Sequence, residues 1–84
     1  MQLSAEISLY PLADAYLPVI KNFVERLAMY DNITINTNTM STQVFGEYRT
    51  VMDILTDELE RVYQHVPSQV LVCKFINRNL QPNG

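Results

Sequence analysis

The first ten residues alternate between apolar and polar side chains. The apolar positions are Leu3, Ala5, Ile7 and Leu9, and the polar ones are Ser4, Glu6, Ser8 and Tyr10. Successive side chains of a strand point to opposite faces, so this pattern predicts a strand over residues 2–10. One face of that strand should lie in the core, and Pro11 should end it.

Two later segments carry apolar residues at helical spacing. The first helix is expected from an N-cap at Asp14 to about Met29, with Pro18 in its first turn. The second is expected over residues 47–66, where Pro67 stops it. The apolar stripes that predict these helices are Leu17, Ile20, Phe23, Val24 and Leu27 in the first, and Tyr48, Val51, Leu55, Leu59 and Val62 in the second.

Strands are expected between and after the helices. Residues 33–40 alternate, and Thr39 to Phe45 favours an extended backbone. A turn near Met40 is needed to separate two strands there, and Gly46 is expected to turn the chain into the second helix. The last strand, residues 69–77, is apolar on both faces, with Val70, Val72 and Ile76 on one and Leu71, Cys73 and Phe75 on the other.

The order strand, helix, strand, strand, helix, strand predicts an α+β fold, the ferredoxin-like βαββαβ sandwich. This fold has one antiparallel four-stranded sheet with both helices on one face. We expect a single domain over residues 1–78 and a polar C-terminal tail over residues 79–84. The other sheet face would be uncovered and partly apolar, which predicts a homodimer in which sheet faces or edges meet.

Composition narrows the class of partner. The chain has 84 residues, 48% of them hydrophobic, and a net charge of −3. An acidic balance argues against nucleic acid, whose phosphates attract a basic surface. The single cysteine excludes an internal disulfide, and no apolar run approaches the length needed to span a membrane. Without a secretion signal, a cytoplasmic location is expected.

The polar residues in mid-chain are the main candidates for a binding site. Ser41, Thr42 and Gln43 precede Phe45 within a segment predicted to be a strand. Hydroxyl and amide groups set into a sheet need hydrogen-bond partners, and a ligand or a second subunit can supply them. The sequence therefore predicts a site near this segment.

An enzyme is not expected. Nucleophile and base pairs, metal-ligand spacings and glycine-rich phosphate loops are missing from the sequence. His65 is the only histidine, and Cys73 lies in an apolar strand without a histidine nearby to activate it. We expect no catalytic residue, metal site or cofactor.

Four short segments share a pattern with known proteins: residues 5–12 (AEISLYPL), 16–20 (YLPVI), 40–48 (MSTQVFGEY) and 75–78 (FINR). Together they resemble the YkoF-related family. Members of that family bind thiamin and hydroxymethylpyrimidine and are built from ferredoxin-like repeats, in some cases two in one chain. The resemblance implies that this chain is one such repeat and that its ligand is thiamin or a pyrimidine precursor of it.

The chemical groups of thiamin also indicate, without reference to the family, which side chains could bind it. Thiamin is a cation whose aminopyrimidine offers an amine donor and ring-nitrogen acceptors, so a site needs a carboxylate, hydroxyls or amides, and aromatic faces. The candidate ligand-binding residues are Glu6, Ser8, Tyr10, Ser41, Thr42, Gln43, Phe45 and Tyr48.

Most of these candidates could instead have a purely structural role. Glu6 could be solvated or paired across a dimer interface with Lys74 or Arg78, and Ser41 to Gln43 could satisfy a turn. Phe45 could belong to the core, and the two tyrosines could pack at subunit contacts.

Two hypotheses about function remain. The first is a non-catalytic protein that sequesters or delivers thiamin or its hydroxymethylpyrimidine moiety. The second is a dimeric regulatory or assembly module that binds a protein partner or an amino-acid-like effector through the open sheet face. The fold alone does not separate them.

Overall fold

The computed structural model describes residues 1–12 and 14–82. Its strands are Gln2–Pro11 (β1), Thr34–Thr37 (β2), Thr42–Glu47 (β3) and Gln69–Ile76 (β4), and its helices are Tyr16–Ala28 (α1) and Tyr48–His65 (α2). The strands form one antiparallel sheet in the order β2-β3-β1-β4. The predicted α+β sandwich is confirmed.

The alternation of β1 decides which side of the sheet meets the helices. Its four apolar residues are buried, and in the register Ala5 lies beside Val44 of β3. Directly opposite side chains of an antiparallel pair share a face, so Val44 belongs to the same layer. The core consists of these residues, Ile33 before β2, and the inner stripes of the helices: Phe23 and Leu27 from α1, and Val51, Ile54, Leu55 and Val62 from α2.

The other side, which we call the open face, carries the polar set of β1. In the register Glu6 lies between Gln43 and Lys74, and Ser8 lies beside Val72. By the same parity, the open face consists of Ser4, Glu6, Ser8, Tyr10, Thr34, Asn36, Gln43, Phe45, Val70, Val72, Lys74 and Ile76. The strand β4 therefore presents Val70, Val72 and Ile76 on the open face.

The predicted start of α1 was wrong. The N-cap is Ala15 rather than Asp14, and no side chain caps this helix. An acceptor at the N-cap needs an extended backbone that points its oxygen at the first free N–H groups, and Asp14 lies one residue too early for that. Pro18 lies in the first turn, as predicted.

The second and third strands are shorter than predicted. Residues 39–41 form part of a turn, and β3 begins only at Thr42. Gly46 is a residue of β3 and does not form the turn into α2. A Cβ atom at Gly46 would lie 3.1 Å from Val51 Cγ2 and 3.2 Å from Ile33 Cγ2, so close packing rather than a turn favours glycine there.

Glu47 begins α2 as its N-cap. Its carboxylate accepts hydrogen bonds from the backbone N–H groups of Arg49 and Thr50 at 3.1 and 3.3 Å. The hydrogen bond from Arg49 is the main reason that the pKa of Glu47 is lowered. Neither helix among the described residues has the length and apolar character needed to cross a lipid bilayer.

A buried carboxylate joins the two helices. Glu58 of α2 is 3% exposed and accepts hydrogen bonds from Arg26 Nε at 2.7 Å and from the Tyr30 hydroxyl at 2.6 Å. Burial alone would raise the pKa of Glu58, but the hydrogen bonds from Arg26 and Tyr30 outweigh burial and hold the pKa below its ordinary value. The hydrogen bond to Glu58 in turn raises the pKa of Arg26 and of Tyr30.

We expect Glu58→Gln to lower the free energy of unfolding by about 2 kcal/mol at neutral pH, because the amide loses the charge that Arg26 requires. The folded pKa of Glu58 lies below the unfolded value of about 4.3. The stabilisation is therefore complete above that value and is lost as the pH falls through the folded pKa. Urea unfolding measured from neutral pH to about pH 3 should show that the free energy of unfolding falls less for Glu58→Gln than for the wild type.

The matched control is Glu60→Gln, on the exposed side of the same helix. It should unfold like the wild type at every pH. Equal stability and equal pH dependence of the wild type and Glu58→Gln would contradict this account.

Candidate functional site

The strand β1 is longer than its neighbour β3. It pairs with β3 only as far as Ile7, opposite Thr42, but with β4 as far as Pro11. In the part of the chain that the structure describes, no strand pairs with the β3-side edge of β1 from Ser8 onward. Backbone donors and acceptors along this edge are available to a ligand.

The turn between β2 and β3 lies beside this edge. The side-chain oxygen of Asn38 accepts hydrogen bonds from the backbone N–H groups of Met40 and Ser41 at 2.8 and 2.9 Å. The backbone N–H of Asn38 donates to the Ser41 carbonyl at 3.0 Å. This Asx turn needs no glycine. The turn is tied to β1 because the Ser8 hydroxyl donates to the Met40 carbonyl at 3.4 Å.

A groove of about 560 Å³ runs between this edge, the turn and α1. We call it the edge groove. Leu17, Ile20 and Val24 of α1 form an apolar wall, and the turn supplies hydroxyl and amide groups opposite. The residues that line it are Ile7, Ser8, Leu9, Tyr10, Pro11, Leu12, Tyr16, Leu17, Ile20, Phe23, Val24, Thr37, Asn38, Thr39, Met40, Ser41 and Thr42. Its size and its apolar walls with a few polar groups are typical of small-molecule sites.

Ser41 connects the edge groove to the open face. Its hydroxyl donates to Glu6 Oε2 at 2.9 Å, while Lys74 Nζ lies 3.6 Å from Glu6 Oε1. Gln43 lies opposite Glu6 in the register and accepts a hydrogen bond from Asn36 Nδ2 at 3.3 Å. A polar row therefore crosses the open face from β2 to β4.

A second, smaller recess of about 280 Å³ lies on the open face beside this row. Leu80 and Pro82 of the C-terminal segment line it together with Phe45, which is only 4% exposed. The Ser4 hydroxyl holds that segment by donating to the Arg78 carbonyl at 2.6 Å and accepting from the Leu80 N–H at 2.9 Å. The division between domain and tail at residue 78 stays a prediction.

The eight predicted residues fall into three groups. Ser8, Tyr10, Ser41 and Thr42 line the edge groove. Glu6, Gln43 and Phe45 line the open-face recess. Tyr48 lines neither; it begins α2, and the Arg49 guanidinium lies 5.9 Å from the centre of its ring.

Thr42 points to the helix side of the sheet, opposite to Glu6. It shares a face with Ile7, is buried, and its hydroxyl lies 3.2 Å from the Thr37 hydroxyl. The two hydroxyls therefore satisfy each other at the floor of the edge groove. Ser41 is the residue that brings the groove and Glu6 together.

Sequence reasoning missed the wall of the groove from α1 and the role of Asn38. Leu17 and Ile20 were assigned to the core stripe of α1, but Leu17 is largely exposed. The run Asn36-Thr37-Asn38-Thr39 held the signal for the turn, because Asn side chains bond to the backbone two and three residues later.

Two observations concern metal-binding groups and the thiol among the described residues. No group of three or more His, Cys, Asp or Glu side chains is placed to hold a metal ion within that part of the chain. Burial raises the pKa of the Cys73 thiol, which disfavours the reactive thiolate.

Solved structures show the same fold. A Streptococcus pneumoniae protein is 22% identical, with a TM-score of 0.85 over 95% of this chain and 90% of its own. A Thermotoga maritima protein that is provisionally assigned to thiamine biosynthesis or salvage is 16% identical, with a TM-score of 0.85 over 98% and 91%. A hypothetical protein from Methanocaldococcus jannascii is 24% identical, with a TM-score of 0.79 over 99% and 87%. No curated protein matches the chain.

The fold and the groove define a ferredoxin-like α+β domain with a pocket at the free edge of its central strand. The YKOF-related family matches residues 2–77, nearly the whole chain. The chain belongs to that family, as the sequence resemblance indicated.

Asn38→Ala should loosen the turn that forms one side of the edge groove. The variant loses the acceptor for two backbone N–H groups, so we expect a loss of about 1 kcal/mol in the free energy of unfolding. Urea denaturation measures this loss. The control is Thr39→Ala in the same exposed turn, which should change stability much less. Equal effects of the two substitutions would contradict the assigned role of Asn38.

Proposed function

We propose that this protein binds thiamin or its hydroxymethylpyrimidine moiety without catalysing a reaction, and that it sequesters or delivers this ligand. Membership of the YKOF-related family supports the ligand class, as does the likeness to the Thermotoga maritima protein provisionally assigned to thiamine biosynthesis or salvage. The observation that carries the proposal is the edge groove, which gathers four of the eight residues selected from sequence chemistry.

The groove suits the two parts of thiamin. The hydroxyls of Ser8 and Ser41, which donate to Met40 and Glu6, can still accept hydrogen bonds from the amine of an aminopyrimidine, and the pair of Thr37 and Thr42 keeps one hydroxyl hydrogen for a ring nitrogen. Tyr10 and Tyr16 are both lining residues, but the register directs the Tyr10 side chain to the open face, so it is the ring of Tyr16 that could contribute about 0.5–2 kcal/mol with a thiazolium cation.

Glu6 lies on the open face, outside the edge groove, and would influence a bound ligand through Ser41. Its carboxylate accepts the Ser41 hydrogen bond and so orients that hydroxyl. It also places a negative charge near the polar end of a groove that would hold a cation. Because Lys74 shares this carboxylate, only part of the charge is available to the ligand.

We also propose that two copies of the chain associate through the open face. Tyr10, Val70 and Val72 are apolar or aromatic side chains that remain about half exposed there. Such a patch on a small domain is better explained by a partner than by water. The same patch is the support for the second hypothesis, a regulatory or assembly module.

Calorimetric titration separates these two functions. Thiamin or hydroxymethylpyrimidine should give measurable heat and raise the melting temperature, because a ligand that binds only the folded state stabilises it. The absence of both signals with both compounds at about millimolar concentration would contradict the proposal, since such affinity corresponds to only about 4 kcal/mol. That result would favour the regulatory module.

The role of Glu6 is tested in the same titration. Glu6→Gln should weaken thiamin binding by about three- to tenfold, because Ser41 loses a charged acceptor and the groove loses a nearby negative charge. Glu25→Gln, which removes the same charge from the exposed side of α1, should change the affinity little. Equal weakening by both substitutions would remove Glu6 from the site.

The location of the site is tested with Leu17→Arg. The longer cationic side chain fills the apolar wall of the edge groove and repels a cationic ligand, so thiamin binding should be lost. Met29→Arg adds the same charge at another exposed apolar position, just beyond the end of α1, and should bind thiamin normally. Unchanged binding by Leu17→Arg would place the ligand outside the edge groove.

A further inference from the structure

The hydrogen bonds at the two ends of β1 show which of its backbone groups face β3. Before the strand, the Met1 carbonyl accepts from the Tyr48 N–H at 2.8 Å, in continuation of the register with β3. After it, the Leu12 N–H donates to the Ser68 carbonyl at 3.0 Å, in continuation of the register with β4. In an antiparallel ladder both backbone groups of a residue point to the same side, and successive residues alternate. Odd-numbered residues of β1 therefore direct their N–H and C=O groups towards β3, and even-numbered residues direct theirs towards β4.

Leu9 is the first odd-numbered residue of β1 that lies beyond the end of β3. The preceding one, Ile7, lies opposite Thr42, with which β3 begins. The following one, Pro11, has no N–H. Between residues 8 and 11, Leu9 therefore supplies the one backbone N–H donor on the β3 side of the strand, next to its own C=O group.

The turn between β2 and β3 does not pair with these two groups. Met40 would lie opposite Leu9 if the register continued, but its N–H donates to Asn38 and its carbonyl accepts from Ser8. Among the described residues, no hydrogen bond joins a turn or loop to the Leu9 backbone. Leu9 is only 7% exposed, and it lines the edge groove. Unpaired backbone groups of a buried residue need a partner, and the groove is the space from which a partner can approach.

A ring that carries an amino group beside a ring nitrogen matches the two free groups of Leu9. Such a ring presents a donor next to an acceptor, as the backbone of a facing strand residue does. The Leu9 N–H can donate to the ring nitrogen while the Leu9 C=O accepts one hydrogen of the amino group. The ring then lies in the plane of the sheet where β3 would continue, with Leu17 and Ile20 of α1 on one side.

We propose that the backbone of Leu9 recognises the aminopyrimidine ring through these two hydrogen bonds, and that it selects ligands with an amino group beside a ring nitrogen. This inference rests on the function proposed above and specifies the contact that distinguishes one pyrimidine from another. Hydroxyl groups do not make this distinction, because each can rotate to donate or to accept. A backbone N–H only donates and a C=O only accepts, so Leu9 fixes the order of the two bonds.

The order of the two groups along β1 also orients the ligand. The Leu9 N–H lies towards Ile7 and Thr42, and its C=O lies towards Pro11. In thiamin the thiazolium arm is attached to the carbon next to the one that bears the amino group. The arm therefore extends towards Pro11 and Tyr16, which line that end of the groove. A ring that is turned over would direct the arm at Thr42, where β3 occupies the space.

Oxythiamin tests the selection, because an oxo group replaces its amino group and the neighbouring ring nitrogen carries a hydrogen. Its donor and acceptor are thus exchanged, and it can pair with Leu9 only when the ring is turned over. Calorimetric titration should show at least about tenfold weaker binding than for thiamin. Equal affinities would overturn this inference and leave the proposed function standing. No binding of thiamin itself would refute the proposed function as well.

Leu9→Pro removes the N–H donor. Proline is compatible with this position because the Leu9 N–H points away from β4 and takes no part in that ladder. The control is Leu9→Ala, which also removes apolar side-chain contacts but keeps the N–H. Leu9→Pro should bind thiamin at least about tenfold more weakly than Leu9→Ala does. Equal affinities of the two variants would overturn the role of the N–H group.

Amide hydrogen exchange tests the same contact in the wild-type chain. Without ligand, the Leu9 N–H should exchange faster than the N–H groups of Ile7 and Ser8, which face β3 and β4. Saturating thiamin should slow exchange at Leu9 by a larger factor than at Ile7. A Leu9 N–H that is as protected as that of Ile7 without ligand would overturn the inference. So would thiamin binding that slows exchange at the two residues equally.

Discussion

The unequal pairing of β1 with its two neighbours is the constraint on which the rest of the structure depends. A sheet satisfies the backbone groups of a central strand only where both neighbours run beside it. Here β4 accompanies β1 to Pro11, whereas β3 begins at Thr42, opposite Ile7. The free edge that results needs a ligand, water or another segment, and the edge groove lies along it.

Because apolar and polar residues alternate along β1, its two sets of side chains lie on opposite faces of the sheet. Its apolar residues close the core beneath the helices, and its polar residues face outward beside the apolar set of β4. A small molecule can therefore occupy the groove at the edge while a second chain covers the face. Ser41 lies between these two surfaces, since it lines the groove and donates to Glu6 on the open face.

Periodicity was enough to predict the element order, because the strand and helix stripes follow directly from which side chains enter the core. It did not reveal features that depend on contacts between distant residues. Glu58 stands on the apolar stripe of α2, and only the approach of Arg26 and Tyr30 explains how a carboxylate can be buried there. Phe45, a candidate ligand contact with the core as its alternative, is buried, and on the open face it lines a recess together with Leu80 and Pro82 of the C-terminal segment.

Amide chemical shifts during a titration with thiamin test the central claim most directly, because they report on the ligand's position without any substitution. The account predicts that the shifts concentrate in Ser8 to Tyr10, in the turn from Asn38 to Thr42, and at the start of α1. Shifts confined to Lys74, Phe75 and the C-terminal segment would place the ligand in the open-face recess and contradict it.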